Sequence, residues 1–214
     1  MKMMIIGPQG SGKGTYASKL SAILKIPHIS TGQIFRDNIA LGNELGKKVQ
    51  SFVNSGALVP DEIVMEIVKK RLGEEDAKNG FIFDGFPRNA RQAVELDKFL
   101  NLDAVIYLNV PEWILLQRLS SRRTCKMCSK IYNLQTIKPK IDGKCDACQG
   151  ELIVRDDEKP EAIKKRLEAY EKDTKPLIDY YKSKGILREF RNENPNTMPD
   201  EAVEMILKML GVRK

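Results

Sequence analysis

The chain has 214 residues, of which 42% are hydrophobic and 30% are charged, and it carries a formal net charge of +7. This length suits one core domain with insertions or two small domains, and the composition is that of an ordinary globular protein. No apolar run approaches the ~18 residues that a membrane span requires, and this excludes a membrane-spanning protein. The positive charge is compatible with nucleic acid or with a site that binds several phosphates.

The N-terminal segment predicts a phosphate-binding loop. An apolar strand over residues 3–6 leads into a glycine-rich loop, and a helix-forming segment follows. Glycines let the backbone turn so that successive N–H groups form an anion site, to which the helix N-terminus adds partial positive charge. The pattern G-x-x-x-x-G-K-[ST] fits Gly7, Gly12 and Lys13, with the hydroxyl one residue late at Thr15. A strand that begins at residue 3 leaves no room for a signal peptide, so we expect a cytoplasmic protein.

The next segment predicts a small helical insertion after a short second strand. Residues 31–55 are expected to be helical, with Thr31 as the N-cap and interruptions at Gly42 and Gly46. Asp61 is expected to cap the following helix, which reaches about residue 72.

A carboxylate ends the third predicted strand, Phe81–Asp84. In a parallel nucleotide-binding sheet an acidic residue at this position lies beside the phosphate loop, where it can hold water bound to Mg²⁺. Asn89 is better placed than Asp84 to cap the helix that follows over 89–100. His28, the only histidine, is expected to be a packed strand residue.

The four cysteines predict a structural metal site. Cys125 and Cys128 form one C-x2-C pair, and Cys145 and Cys148 form a second pair after sixteen residues. This spacing is typical of a four-thiolate zinc site, whereas a pair of disulfides is disfavoured in a reducing cytosol. Four thiolates leave no position for a catalytic water, so we expect the metal to hold a lobe together without taking part in the chemistry.

The remaining segments continue the alternation of strands and helices. A strand over 104–110 is followed by a helix from Pro111, and a long helix over 160–184 is interrupted shortly before Pro176. A last strand over 185–190 and a last helix complete the chain. This alternation predicts an α/β fold with a parallel sheet covered on both faces.

Several further motifs occur in one order along the chain. They are the loop ending in Gly14-Thr15, Thr31-Gly32-x-x-x-Arg36, Asp84-Gly85-Phe86-Pro87-Arg88, Gln92, Arg118-x-x-x-Arg122-Arg123, Arg155 and Arg166. In this combination the chain resembles the adenylate kinase family over its whole length, in the form with a long, zinc-bearing lid. The resemblance implies a P-loop NTPase-type core of five parallel strands from residues 1–29, 60–121 and 160–214, a helical AMP-binding insertion at 30–59 and a zinc-ribbon-like lid at 122–159.

The resemblance also implies an activity, the reversible reaction ATP + AMP = 2 ADP with Mg²⁺, which balances the adenine nucleotides. The implied enzyme is a monomer with structural Zn²⁺ and without nucleic-acid or membrane partners. Phosphoryl transfer needs positioning and dispersed positive charge, which arginine supplies through its planar, always charged fork. The cations implied to act in catalysis are Lys13, Arg88, Arg122, Arg155 and Arg166.

The resemblance assigns two sets of nucleotide contacts. Those implied for ATP are Gly10, Ser11, Gly12, Lys13, Gly14, Thr15, Arg118, Arg122, Ile131, Tyr132 and Met198. Those implied for AMP are Thr31, Gly32, Arg36, Ala57, Leu58, Val59, Gly85, Phe86, Pro87, Arg88, Gln92, Arg155 and Arg166. Asp84 is implied to hold magnesium through water.

Three positions depart from the family pattern. Gln33 stands where an aspartate is usual, Glu158 replaces the second of two lid aspartates, and the turn beside the ATP base is replaced by residues 196–198. Two alternative interpretations therefore stay open. One is a related kinase with a different nucleotide, such as a GTP:AMP phosphotransferase or a UMP/CMP kinase. The other is a phosphate-loop protein whose zinc lobe binds nucleic acid, although Tyr132 is the only aromatic residue there for base stacking.

Overall fold

The computed structural model describes residues 1–212, including every side chain among them except that of Asp156. The strands are β1 (Lys2–Ile6), β2 (His28–Ser30), β3 (Phe81–Asp84), β4 (Ala104–Asn109), β5 (Arg122–Cys125), β6 (Ile131–Asn133), β7 (Leu152–Ile153) and β8 (Leu187–Arg191). The α-helices are α1 (Lys13–Leu24), α2 (Thr31–Ala40), α3 (Glu44–Ser55), α4 (Asp61–Leu72), α5 (Ala90–Asp97), α6 (Glu112–Ser120), α7 (Pro160–Ala169), α8 (Leu177–Ser183) and α9 (Pro199–Met209).

The central sheet has five parallel strands in the order β2-β3-β1-β4-β8, which confirms the predicted fold class. Successive side chains of a strand point to opposite faces, so the apolar runs of these strands supply two cores. Met4 and Phe83 pack with apolar residues of α4, α5 and α8, while Met3 and Ile82 pack with those of α1, α6 and α9. Burial on both faces explains why these strands read as continuous apolar runs.

The register of the sheet brings two predicted site segments together. In the pairing of β1 with β3, Ile5 lies opposite Asp84. The loop that follows β1 therefore emerges beside the carboxyl end of β3. This edge is where a parallel α/β sheet binds its ligand.

The insertion between β2 and β3 is helical, as predicted, but the interruption at Gly46 is wrong. The chain turns between α2 and α3 at Gly42, whereas Gly46 lies inside α3. A Cβ on Gly46 would stand 2.1 Å from the carbonyl oxygen of Asn38. The glycine therefore serves the close packing of α3 on α2 and does not end a helix.

Two predicted caps are also wrong. Ser30 is the N-cap of α2, since its side chain accepts from the Gln33 N–H, and Thr31 is the first helical residue. The Thr31 hydroxyl instead donates to the carbonyl oxygen of Gly85 (2.8 Å). Asp61 is the first residue of α4, and its carboxylate accepts bonds from the neighbourhood of α5. Both side chains bond to residues that are distant in the sequence, and they therefore do not fill the capping role that the sequence predicted.

The segment over 122–153 forms a second sheet of three antiparallel strands in the order β6-β5-β7. Its buried centre contains Cys125, Tyr132 and Cys145, with few other apolar residues packed against them. So small an apolar centre does not stabilise a lobe by itself.

The predicted irregularity in the long C-terminal helix is confirmed. Residues Tyr170–Thr174, between α7 and α8, form a π-helical turn. The Thr174 hydroxyl donates to the carbonyl oxygen of Arg88 (2.7 Å), so this turn contacts the backbone of the site loop. π-Turns inside α-helices are frequently found at functional sites.

Candidate active site

The loop between β1 and α1 has the shape of an anion site. Gly10 and Gly12 have φ angles of 84° and 99°, which side-chain-bearing residues rarely adopt. The loop ends at the N-terminus of α1, whose first residue is Lys13. The Lys13 Nζ donates to the carbonyl oxygens of Gly7 (2.7 Å) and Pro8 (2.8 Å), so its charge lies over the loop. The backbone N–H groups of the loop, the dipole of α1 and the Lys13 ammonium thus all favour binding of an anion at the same place.

Burial lowers the pKa of Lys13 to about 7, because the charged amine is desolvated and the arginines Arg88, Arg166 and Arg122 lie nearby. The carboxylate of Asp84 acts in the opposite direction. The site therefore has more positive charge than its own carboxylates balance, and an anion restores the charged form of Lys13.

Asp84 lies at the end of β3, beside the loop. The Cβ that Gly14 lacks would stand 3.3 Å from the Asp84 Oδ2, and His28 Nε2 lies 3.4 Å from the same oxygen. Burial favours a raised pKa of Asp84, but the contact with His28 and the charge of Lys13 outweigh it and hold the pKa below its ordinary value. The ionised carboxylate of Asp84 and the hydroxyl of Thr15 line one cleft, and such hard oxygen atoms are the ligands that Mg²⁺ prefers, so these residues fit that ion.

A cleft that we call the first cleft opens above the loop and is rich in cations. Six arginines among the described residues line it together with Lys13, and they come from α2, the loop before α5, α6, β5, the segment after β7, and α7. Its lining residues are Gln9, Gly10, Gly12, Lys13, Gly14, Thr15, Tyr16, Ser30, Gly32, Arg36, Asp84, Arg88, Arg118, Arg122, Ile131, Tyr132, Asn133, Thr136, Ile137, Arg155, Arg166, Pro195, Thr197 and Pro199. Burial lowers the pKa of Arg166 to about 9 and that of Arg36 to about 10, with neighbouring arginines contributing.

Two carboxylates hold the arginines of this cleft together. Asp157 pairs with Arg155 (3.1 Å) and Arg166, and Glu158 pairs with Arg155 (2.8 Å) and Arg122. Glu158 thus makes the paired contacts despite being longer than the usual aspartate, and its side chain is only 1% exposed. The arginines are positioned for anionic oxygen atoms, which the two carboxylates supply.

A second cleft lies beside the first and is more apolar. It is lined by Thr31, Gly32, Phe35, Arg36, Val53, Gly56, Ala57, Leu58, Val59, Val64, Gly85, Arg88, Gln92, Asp157 and Arg166. Arg36, Arg88 and Arg166 line both clefts, so the two are joined at their cationic ends. The rest of the second cleft combines apolar side chains with the amide of Gln92, which suits a flat heterocycle with a polar edge.

The structure separates four of the predicted contacts from the two clefts. The Phe86 side chain is 1% exposed and packs on Phe83, with ring centroids 5.3 Å apart, so it belongs to the core. Ser11 is a fully buried residue of the loop, and Pro87 lines a third cavity together with Lys13. Met198 is half-exposed, while its neighbours Thr197 and Pro199 line the first cleft. The other predicted nucleotide contacts line one or both clefts.

The four cysteines fit a zinc ion. Their sulfur atoms all lie within 4.8 Å of one another, with Cys125 Sγ to Cys148 Sγ at 3.4 Å and Cys128 Sγ to Cys145 Sγ at 3.5 Å. Tetrahedral zinc with bonds of about 2.3 Å requires sulfur separations of roughly 3.8 Å. The Tyr132 hydroxyl donates to Cys145 Sγ (3.5 Å), and this bond lowers the pKa of that thiol to about 6, which favours the thiolate that zinc binds.

Tyr132 therefore joins the metal site to the first cleft. Its hydroxyl also accepts from the Asp146 N–H (2.7 Å), and the residue is 1% exposed. The zinc lobe thus holds in place the side chain that is expected to cover a nucleotide base.

Sequence reasoning missed the roles of four side chains that the structure places in or near the site. Gln9 lines the first cleft with both amide atoms buried and unpartnered in the described structure. His28 has Asp84 as its partner, and Asp61 contacts Gln92. Gln33, which replaces the usual aspartate, donates to Ser129 of the zinc lobe (3.1 Å). His28 reaches Asp84 because β2 pairs with β3, and the contacts of Asp61 and Gln33 likewise join residues that the fold brings together.

No helix among residues 1–212 is long and apolar enough to cross a membrane.

A family model described as adenylate kinase matches residues 5–186. The chain is 49% identical over 220 aligned positions to adenylate kinase from Caldanaerobacter subterraneus subsp. tengcongensis, covering 100% of this chain and 98% of that protein. It is 50% identical over 192 positions to adenylate kinase from Thermosipho africanus, covering 87% and 90%, and 46% identical over 213 positions to that from Pseudothermotoga lettingae, covering 97% and 98%.

Proposed function

The chain belongs to the adenylate kinase family, and on that premise we propose that its two clefts carry out Mg²⁺-dependent phosphoryl transfer from ATP to AMP. The observation that carries the proposal is the meeting of Lys13 and the shared arginines where the two clefts join. A phosphoryl group in transit between two nucleotides requires positive charge at this point and little covalent help. The relatives' names favour this reaction over a GTP:AMP or UMP/CMP kinase.

The first cleft binds ATP and the second binds AMP in this proposal. The loop N–H groups and Lys13 hold the β- and γ-phosphates, and Arg118 borders the donor nucleotide. Arg88 and Arg36 hold the AMP phosphate, while Arg122, Arg155 and Arg166 surround the group in transfer. Asp84, through water, and Thr15 would hold magnesium, which would supply positive charge to the phosphates of the donor.

The predicted domains divide the site between a core, an AMP-binding insertion and a lid that closes. The core comprises 1–29, 60–121 and 160–214, the insertion at 30–59 carries the AMP cleft, and 122–159 forms the lid. A closed lid excludes water, which competes as phosphoryl acceptor, and strengthens the arginine–phosphate attraction. Asp157 and Glu158 steer the same arginines when the lid shuts. The protein acts in the cytoplasm, where ATP and AMP are available and thiols stay reduced.

The test is a coupled assay of ADP formation from ATP and AMP with Mg²⁺, replacing each nucleotide in turn. We expect turnover that requires AMP as the acceptor. GTP, CTP and UTP as donors measure the donor-base preference at the altered loop around Met198. Absence of turnover with every pair of nucleotides would exclude the proposal.

The pKa of Lys13 predicts that ATP binding takes up a proton. Because this pKa is about 7 in the free protein, Lys13 is mostly neutral at pH 8 and mostly charged at pH 6. Bound phosphates raise the pKa, so we expect an uptake approaching about 0.9 proton per ATP at pH 8 and much less at pH 6. Titration calorimetry in two buffers of different ionisation enthalpy measures this number.

The control for this experiment is Lys13→Arg. Arginine keeps its charge at both pH values, so the variant should bind ATP without proton uptake at pH 8. Equal uptake by the two proteins would assign the proton to another group.

A further inference from the structure

Gln92 is held on two sides by the protein. Its side-chain Nε2 donates to Asp61 Oδ1 (2.7 Å), and its Oε1 accepts from the Arg88 N–H (2.8 Å). Asn89 braces the same carboxylate oxygen through its Nδ2 (2.9 Å) and, through its Oδ1, accepts from the Gln92 N–H (2.8 Å). The residue is 2% exposed. The amide is therefore built into a frame at the edge of the second cleft.

The two protein partners fix which end of the amide is which. A carboxylate only accepts hydrogen bonds and a backbone N–H only donates them. Rotating the Gln92 amide by 180° would turn its oxygen toward the Asp61 carboxylate and its NH₂ group toward the Arg88 N–H. Both bonds would be lost, and like groups would face each other. The frame thus permits one orientation.

The fixed amide keeps half of its hydrogen-bonding capacity free. An amide side chain has two donor hydrogens and two acceptor sites, and the frame uses one of each. One N–H and one oxygen lone pair remain for a ligand. Gln92 carries the only side-chain amide among the described residues that line the second cleft. A purine edge in this cleft therefore meets one donor and one acceptor in a fixed order.

Adenine and hypoxanthine present opposite patterns to such a pair. Adenine offers an acceptor at N1 and a donor at its 6-amino group, whereas hypoxanthine and guanine offer a donor at N1 and an acceptor at O6. An amide that rotates freely accommodates both patterns. An amide held in one orientation accepts one pattern and leaves the other with two mismatched contacts, which is how polar sites achieve strong discrimination.

We propose that Asp61 is a specificity-determining residue of the acceptor site: by holding the Gln92 amide in one orientation it makes the enzyme select AMP over 6-oxopurine monophosphates. Asp61 acts as a positioning residue, since it contacts Gln92 and does not line the cleft. The inference rests on the proposed function, in which the second cleft binds AMP.

The test compares AMP with inosine monophosphate as acceptor, with ATP as donor, in the native enzyme and in Asp61→Asn. Asparagine keeps the size of the side chain but supplies both a donor and an acceptor, so at its end of the amide it can partner either orientation of Gln92. Only the Arg88 N–H then still favours one orientation. We expect kcat/KM for AMP to change little, while the ratio of kcat/KM for AMP over inosine monophosphate falls about fivefold. Asp61→Ala, which removes the partner altogether, should lower the same ratio at least as much.

Glu62→Gln is the matched control. Glu62 loses the same charge in the same turn of α4, but its side chain is 70% exposed and pairs with Arg91. The control should keep the native ratio. A fall of less than threefold in both Asp61 variants would overturn the proposal, as would an equal fall in activity with both nucleotides, which indicates a merely structural role.

Calorimetric binding of AMP and inosine monophosphate without ATP gives a second readout. The ratio of their dissociation constants should fall in Asp61→Asn as the kinetic ratio does. This experiment separates the two proposals. A native protein that binds AMP selectively but does not phosphorylate it would overturn the proposed function and leave the role of Asp61 intact. An unchanged binding ratio in the variants would overturn the role of Asp61 alone.

Discussion

Replacing Arg88 with alanine is expected to lower kcat/KM for AMP by about a thousandfold, the order found for removing a single charged group that stabilises a phosphoryl-transfer transition state. Arg88 lines both clefts, and its Nε donates to the Gly85 carbonyl oxygen (2.7 Å). That bond fixes the guanidinium and leaves its outer nitrogen atoms for phosphate oxygens. The coupled ADP assay at varied AMP measures the loss.

Two further variants serve as controls for the Arg88→Ala experiment. Arg88→Lys keeps the charge but not the planar fork, so we expect it to recover only part of the activity. Arg188→Ala removes an exposed arginine on β8 whose guanidinium donates to the carbonyl oxygens of Gly185 and Leu187, and activity should stay native. A loss of less than tenfold in a folded Arg88→Ala protein would mean that Arg88 does not bind the acceptor phosphate.

Removing zinc is expected to unfold the lid before the core. The apolar centre around Tyr132 is small, so a metal held by the four sulfur atoms is expected to supply much of the stability of the lid. Losing even ~3 kcal/mol of a structural zinc site lowers Tm by roughly 6–12 °C in a chain of this size. Calorimetry and limited proteolysis within 122–159, on Cys145→Ser and on chelated protein, measure the effect.

Activity measured well below the melting temperature distinguishes a structural role of the metal from a catalytic one. Because four thiolates fill the metal's coordination sites, we expect Cys145→Ser to keep kcat within about threefold at low temperature. Met127→Ser changes an exposed residue of the same turn, 74% exposed, and should leave Tm unchanged. A chelated lid that melts together with the core at the native Tm would contradict a structural role for the metal.

The strands of the core and the phosphate loop were predictable because their physical causes are local. A strand buried on both faces is an apolar run, as at residues 3–6 and 81–83, and the loop needs glycines and Lys13 at fixed spacing. The spacing of the cysteines was equally informative. The caps were not predictable from neighbouring residues alone: Ser30 and Thr31 both carry a hydroxyl, and only the position of Gly85 in space decides which of them caps α2.

The site residues that escaped prediction have the same explanation. Asp61 and Gln92 are 31 residues apart, and Gln33 and Ser129 are 96 apart, so their contacts appear only when the chain is folded. Around Met198, whose contact with ATP stays a prediction, the neighbours Thr197 and Pro199 line the first cleft. Patterns along the sequence identify chemistry, while selection among adjacent residues depends on the fold.

The π-helical turn at Tyr170–Thr174 has a consequence for insertions and deletions. Arg166 lies on one side of it, and the anchors Leu177 and Tyr181, both fully buried, lie on the other. One residue turns an α-helix by about 100° and lengthens it by ~1.5 Å. Deleting a single residue here would therefore rotate Arg166 out of the clefts or pull the anchors from the core. The π-helical turn has no catalytic side chain of its own, yet the number of residues in it is fixed by what lies on either side.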